Sequence, residues 1–144
     1  QLILTSLLYR LVTHVMAGSL GTVLPAPTDV VLARDQVVQP DLLFVARERR
    51  QIIDPLGAIQ GAPDLAVEIL SPATTGRDRV MKRKLYGRFG VREYWIVDPT
   101  AGTVEVLVLA EAGLETWRIF QQGENLLSTV LPGLTISLSE VFAE

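Results

Sequence analysis

The run Asp64-Leu-Ala-Val-Glu-Ile-Leu70 constrains this chain more than any other stretch. It is short, mostly apolar and bounded by Pro63 and by Ser71-Pro72. Apolar residues on both parities mark a strand covered on its two faces, the central position of a sheet. Glu68 sits in the middle of that run. A carboxylate there is costly to bury unless it is paired, hydrogen-bonded or bound to a metal. A salt bridge to one of the chain's many arginines would satisfy it, and so would a cation.

The flanking pattern supplies the rest of a mixed fold. Leu4, Leu7, Leu8, Leu11 and Val15 recur at helical spacing, with Gly18 as a stop. Gly21–Leu24 and Asp29–Ala33 read as short strands around Pro25-Ala-Pro27, and Leu42–Ala46 as a third after Pro40. Residues 47–62 read as a loop. A helix is expected from about Gly76 to Phe89, with Gly90 just past its end. Strands are expected at Glu93–Val97, Val104–Leu109, Leu114–Phe120 and Leu134–Leu138, then a helical turn near Glu140. The order predicts a single α/β domain over residues 1–144, an α+β mixed sheet with helices packed on it. The tail meander is expected to extend that sheet. The sequence opens without Met and already inside a helical pattern, so it is expected to lack its natural N-terminal segment.

Composition excludes several classes. An apolar fraction of 49% over 144 residues supports one compact core and not a disordered chain. No run approaches the roughly 18 to 20 apolar residues of a membrane helix. Gln1–Met16 lacks a basic start and is broken by Arg10 and His14, which argues against a signal peptide. There is no cysteine, hence no disulfide or thiolate metal site. A cytoplasmic protein is expected. No glycine-rich phosphate loop, serine elbow or zinc motif is present, and no nucleotide cofactor is expected. The charges are asymmetric. Ten of the 13 basic residues lie between Arg47 and Arg92, and residues 96–144 carry one Arg against 7 acids. That marks either a solvated helix face or a polyanion-binding one.

Three residues carry the chemistry this pattern allows. Asp41 follows Pro40 at the start of a strand, where it either caps a turn or faces Glu68 across the sheet. Two converging carboxylates suit a hard divalent cation. Lys82, at i+4 from Asp78 on the helix, either pairs locally with that aspartate or stabilises developing negative charge. Asp41, Glu68 and Lys82 together form the minimal set for metal-assisted phosphodiester cleavage. Asp64 shares strand parity with Glu68, although directly after Pro63 it reads more simply as the strand's first residue. Tyr86 stands at i+4 from Lys82. Arg79 and Arg83, with Arg47, Arg49 and Arg50, suit phosphate contacts or plain solubility. His14, on a leucine-rich helix, reads as a packed or surface residue.

At this point several blocks resemble one family. Pro40-Asp41-Leu-Leu-Phe-Val, Gly61-Ala-Pro-Asp-Leu-Ala-Val-Glu-Ile-Leu-Ser-Pro72, Asp78–Lys82–Tyr86, Gly90-Val-Arg-Glu-Tyr-Trp-Ile-Val-Asp-Pro99 and Leu131-Pro-Gly-Leu134 are similar to the bacterial Uma-two family of restriction-endonuclease-like proteins. The similarity runs over nearly the whole chain. It implies the restriction-endonuclease-like core of the PD-(D/E)xK nuclease superfamily and a metal-dependent DNA endonuclease. In that pattern Asp41 and Glu68 would be metal ligands, the Ile69 carbonyl a further one, and Mg²⁺ or Mn²⁺ the cofactor. The superfamily's lysine position, two residues past Glu68, holds Leu70, and Lys82 on the following helix takes the matching place. Arg47, Arg49, Arg50, Arg79 and Arg83 would grip DNA, with Asp64 and Tyr86 as additional site residues. Family members also carry an acidic residue in a segment before the first helix, which this sequence lacks. A homodimer is expected. The competing expectation is a nuclease-fold module that binds DNA or a protein and cuts nothing.

Overall fold

The computed structural model describes residues 2–143. The chain runs α1 (Leu2–Gly18), β1 (Gly21–Pro25), β2 (Val30–Ala33), β3 (Gln36–Val38), β4 (Leu42–Ala46), a 3₁₀ segment (Arg47–Ile52), β5 (Ile59–Gln60), β6 (Leu65–Ile69) and α2 (Gly76–Arg88). It continues through β7 (Glu93–Asp98), β8 (Thr103–Ala110), β9 (Gly113–Gln121), β10 (Asn125–Leu126), β11 (Ile136–Ser137) and α3 (Leu138–Val141). The main sheet has the order β1-β4-β6-β7-β8-β9. Its β6–β7 pair is parallel, joined by the α2 crossover, and its other pairs are antiparallel.

Burial on both faces makes β6 central. Leu65 and Val67 face α1, whose Leu7, Leu11 and Val15 pack with them and with Trp95 and Val97. Each such side chain contributes about 1.5–3 kcal/mol on burial, so packing, more than helix propensity, holds α1 in place. Ala66 points the other way, into a cluster with Tyr94, Ile96 and Tyr86 of α2. Strand alternation then puts Glu68 on the α2 side as well. Leu43 and Val45 on the same face pack under Val30 and Ile59 of the small β3-β2-β5 sheet.

Helix α2 is highly charged and buries only Tyr86. Its N-terminus is fixed by a capping box: Thr75 Oγ1 accepts from Asp78 N at 3.1 Å, while the Asp78 carboxylate accepts from Thr75 N. Its far end lies against the β8–β9 hairpin, where Gly87 permits the close approach. A Cβ there would stand 3.1 Å from Leu114 N.

The mixed sheet, its helices and the β8–β9 extension match the expectation, with three local differences. The stretch read as loop 47–62 contains the 3₁₀ segment and β5. The expected 29–33 strand joins β3 and β5 in a separate sheet, not the main one. The expected 134–138 strand shrinks to β11, paired only with β10, because Ser137 already caps α3 through Glu140 N. His14 Nε2 bonds the Pro132 carbonyl at 3.1 Å and Arg10 pairs with Glu140 at 2.7 Å, tying α1 to the C-terminal segment. Among the described residues no helix is long and apolar enough to cross a membrane.

Candidate active site

The site residues gather where β6 ends. In the β4–β6 ladder Leu42 pairs with Val67, so counting one residue outward sets Asp41 opposite Glu68. Asp41 Oδ2 accepts from Ile69 N at 2.6 Å, which fixes its carboxylate on the last residue of β6. From α2, Lys82 Nζ approaches Glu68 Oε2 at 3.1 Å and Tyr86 OH donates to the same oxygen at 2.8 Å. Lys82 and Tyr86 stand one helical turn apart on a single face, which is why both reach one carboxylate. Asp78, committed to the cap of α2, leaves Lys82 to Glu68.

The electrostatics follow from burial. Glu68 is 8% exposed, and burial pushes its carboxyl above the usual glutamate range. The Lys82 charge and the Tyr86 hydrogen bond pull the other way, and the Asp41 charge nearby raises it further. Tyr86, fully buried, has its phenol pushed up by burial first and by the Glu68 charge second, so it stays a hydrogen-bond donor. Its ring meets Tyr94 edge-on at 4.9 Å. Tyr94 is likewise pushed up, by burial first.

Other expected residues lie elsewhere. Asp64 shares parity with Glu68 but stands at the opposite end of β6. There, fully buried, it accepts from Ala46 N at 2.7 Å and pairs with Arg49 at 3.2 Å and Arg92 at 3.3 Å. It fastens the far end of the sheet and does not face the Glu68 cleft. Arg49 is spent on that contact. Arg47 and Arg50 belong to the same 3₁₀ segment, which follows β4. The five residue steps from Asp41 to Ala46 span about 17 Å at strand rise, so these arginines stand well away from Glu68. Arg83 turns to the hairpin, donating to the Leu114 carbonyl at 3.1 Å. Of the five arginines expected to face DNA, Arg79 alone lines the cleft beside the carboxylates.

That cleft has two halves. One cavity of about 690 Å³ includes Asp41 together with Ile3 and Leu4 of α1. The other, of about 620 Å³, includes Glu68 and Lys82 and opens between α2 and β3. Ile69, Leu70, Ser71, Thr74 and Arg79 line both. Sequence reasoning missed Met81, Lys84 and Arg88 on the second cavity, although their spacing of three and four residues on α2 is a visible signal. Gln36 and Val38, from β3, also line it and had no such signal, because only the folded chain brings β3 opposite α2.

The donor set bears on a metal. Among the described residues no group of three or more His, Cys, Asp or Glu side chains forms a cation cage. Two carboxylates are nonetheless what Mg²⁺ asks of a protein, since it keeps several waters and completes its shell with substrate phosphate. In kind, the Asp41 and Glu68 carboxylates fit what Mg²⁺ or Mn²⁺ would take as side-chain ligands.

Comparisons with known proteins bear on the family and the fold. Residues 1–139 match the Uma2 family, described as "Putative restriction endonuclease". Among solved structures the chain is similar to a "putative nuclease belonging to DUF820 from Anabaena variabilis ATCC 29413", with a TM-score of 0.80 and 20% identity. The match covers 99% of this chain and 79% of that one. At that identity it establishes a shared fold. Among curated proteins none matches.

Proposed function

We propose that this chain, which belongs to the Uma2 family, is a divalent-metal-dependent deoxyribonuclease that hydrolyses phosphodiester bonds within DNA chains. The observation that carries the reading is the approach of Lys82 and Tyr86 to Glu68, beside an Asp41 anchored on the next residue of the same strand. Asp41 and Glu68, with the Ile69 carbonyl, would hold Mg²⁺ or Mn²⁺, which when bound neutralises phosphate charge and lowers the pKa of a water. The remaining work falls to the chain itself. Both contacts to Glu68 fall on Oε2, which orients the carboxylate and leaves Oε1 for a ligand. Lys82, three donors on a flexible stem, stabilises the charge that develops on the scissile phosphate. Tyr86 acts through Glu68 as a positioning residue. Arg79 steers the DNA backbone into the cleft.

Cleavage of circular single-stranded DNA or of supercoiled plasmid in Mg²⁺ or Mn²⁺, abolished by EDTA, tests the reading. Lys82→Met is expected to lower the cleavage rate by about 10²–10³-fold with metal affinity retained. An unchanged rate removes Lys82 from the mechanism. The absence, among the described residues, of a group of three or more possible metal ligands favours one alternative, a DNA-binding module that does not cut. Metal-independent retention of DNA with no nicking would establish that alternative instead.

The working form in this reading is a cytoplasmic homodimer. C₂ pairs are the commonest assembly, and β9 exposes Trp117 and Ile119 at the sheet edge. Light scattering at tens of micromolar is expected to give twice the 15.8 kDa chain mass, and a monomer would refute this element.

A further inference from the structure

The cavity between α2 and β3 has a composition that its neighbour lacks. Val38 of β3, Met81 and Leu85 of α2, and Leu70 just past β6 line it. Met81 is 59% exposed, an adaptable apolar side chain presented to solvent at the edge of the cavity. Around this apolar lining stand Arg79, Lys84 and Arg88. The two acids that line the cavity are already engaged: Asp78 in the cap of α2, and Glu68 with Lys82 and Tyr86. Gln36 adds an amide on the β3 side, able both to donate and to accept.

An apolar slot with a cationic rim, opening beside the carboxylates, matches a flat base attached to an anionic backbone. Its volume of about 620 Å³ lies in the range of about 300–1,000 Å³ that encloses one small organic ligand. Duplex DNA keeps its base faces stacked and shows a protein only phosphates and groove edges. A base can enter such a slot only if it is already unpaired or is extruded at a cost of a few kcal/mol.

We propose that this groove receives an unpaired nucleotide of the substrate strand, so that the site acts on single-stranded or frayed DNA and not on intact duplex. The choice of ligand rests on the nuclease reading above. The base lies against Val38, Leu70, Met81 and Leu85, where its contact is independent of sequence. The flanking phosphates meet Arg79, Lys84 and Arg88, and the phosphate on the Lys82 side is the one presented for cleavage. Gln36 reads the edge of the base.

Fluorescence anisotropy with 5′-labelled oligothymidylate and with a hairpin duplex of equal phosphate number, both in EDTA, tests the groove apart from catalysis. The single strand is expected to bind at least about tenfold tighter, and Met81→Glu to remove about tenfold of that affinity while leaving duplex binding unchanged. A single strand carrying 2-aminopurine gives a second readout that needs no variant, since its fluorescence should rise as the base leaves its neighbours for the groove. Equal or tighter duplex binding, or no 2-aminopurine response, overturns the groove. In Mg²⁺ or Mn²⁺, duplex cut as fast as single strand overturns it too, while sustaining the nuclease. No cutting of either substrate, with selective single-strand binding intact, supports the groove and removes the nuclease reading.

Discussion

Glu68→Gln is expected to lower metal-dependent cleavage on the order of 10³-fold or more while leaving the metal-free protein as stable as the wild type, or firmer, at neutral pH. The variant keeps the side chain's shape and an oxygen to accept from Tyr86 OH, the 2.8 Å bond inside the α2 face. It removes the charge. The folded-state carboxyl of Glu68 is raised, chiefly by burial, so its favourable contribution belongs to the protonated form. That contribution is fully present below the unfolded-state pKa and is lost as pH rises through the folded-state value. Above that value the ionised group is therefore a net cost to the metal-free fold. Melting without metal should show the variant level with the wild type or about 2–5 °C above it at pH 7, with any gap closing as pH falls through the carboxylate range. Saturating Mg²⁺ should raise the wild-type melting temperature and leave the variant unmoved, since only a ligand bound to the native state shifts that equilibrium. Glu68→Ala is the poorer probe, because it strands the buried Tyr86 hydroxyl at about 1–3 kcal/mol. Retained cleavage alongside a large drop in melting temperature would sink the catalytic assignment.

Much of this arrangement was legible in the chain, and the limits have physical causes. Glu68 announced itself because a carboxylate in a doubly covered strand requires a partner, and Lys82 and Tyr86 because helical spacing puts them on one face. At Asp64 parity offered the face of Glu68, while its place after Pro63 gave the simpler reading, a residue at the strand's start, which the fold bears out. Period-two alternation shows which face a side chain joins, but not which end of the strand, and four residues separate the two acids. The arginines illustrate the same gap. Arg49, Arg79 and Arg83 look alike in sequence, yet one holds Asp64, one lines the cleft and one ties α2 to the hairpin. Which partner a long cation finds depends on contacts 15 to 31 residues away along the chain, as Arg49 with Asp64 and Arg83 with Leu114 illustrate. Gln36 and Val38 were invisible for a related reason: β2 and β3 pair in their own sheet, and only that sheet's placement sets β3 across from α2.

Glu93→Ala is expected to be the most destabilising single change among the acids, at about 3–5 kcal/mol, while sparing cleavage per folded molecule. Glu93 is fully buried at the start of β7, paired with Leu65 at the end of the sheet opposite Glu68. Its Oε2 accepts from Trp95 Nε1 at 2.8 Å and from Ser128 Oγ at 2.6 Å, and its Oε1 from Thr129 N at 2.8 Å and from the Thr129 hydroxyl. Four donors thus converge on one carboxylate, and through it the C-terminal segment that carries Leu131 and Leu134 is fastened to the main core. Truncation leaves the indole N–H of a fully buried Trp95 without an acceptor and opens a void beside it, and the two costs add. Glu93→Gln, which retains one acceptor but turns an amide toward donors, should cost about 1–3 kcal/mol. Urea denaturation of the two variants against the wild type measures both values. Because Glu93 lies a strand length from the Asp41–Glu68 pair, activity corrected for the folded fraction should stay within a few-fold of wild type. A loss of cleavage as deep as that of Glu68→Gln, in protein shown to be folded, would mean that the far end of β7 belongs to the active site.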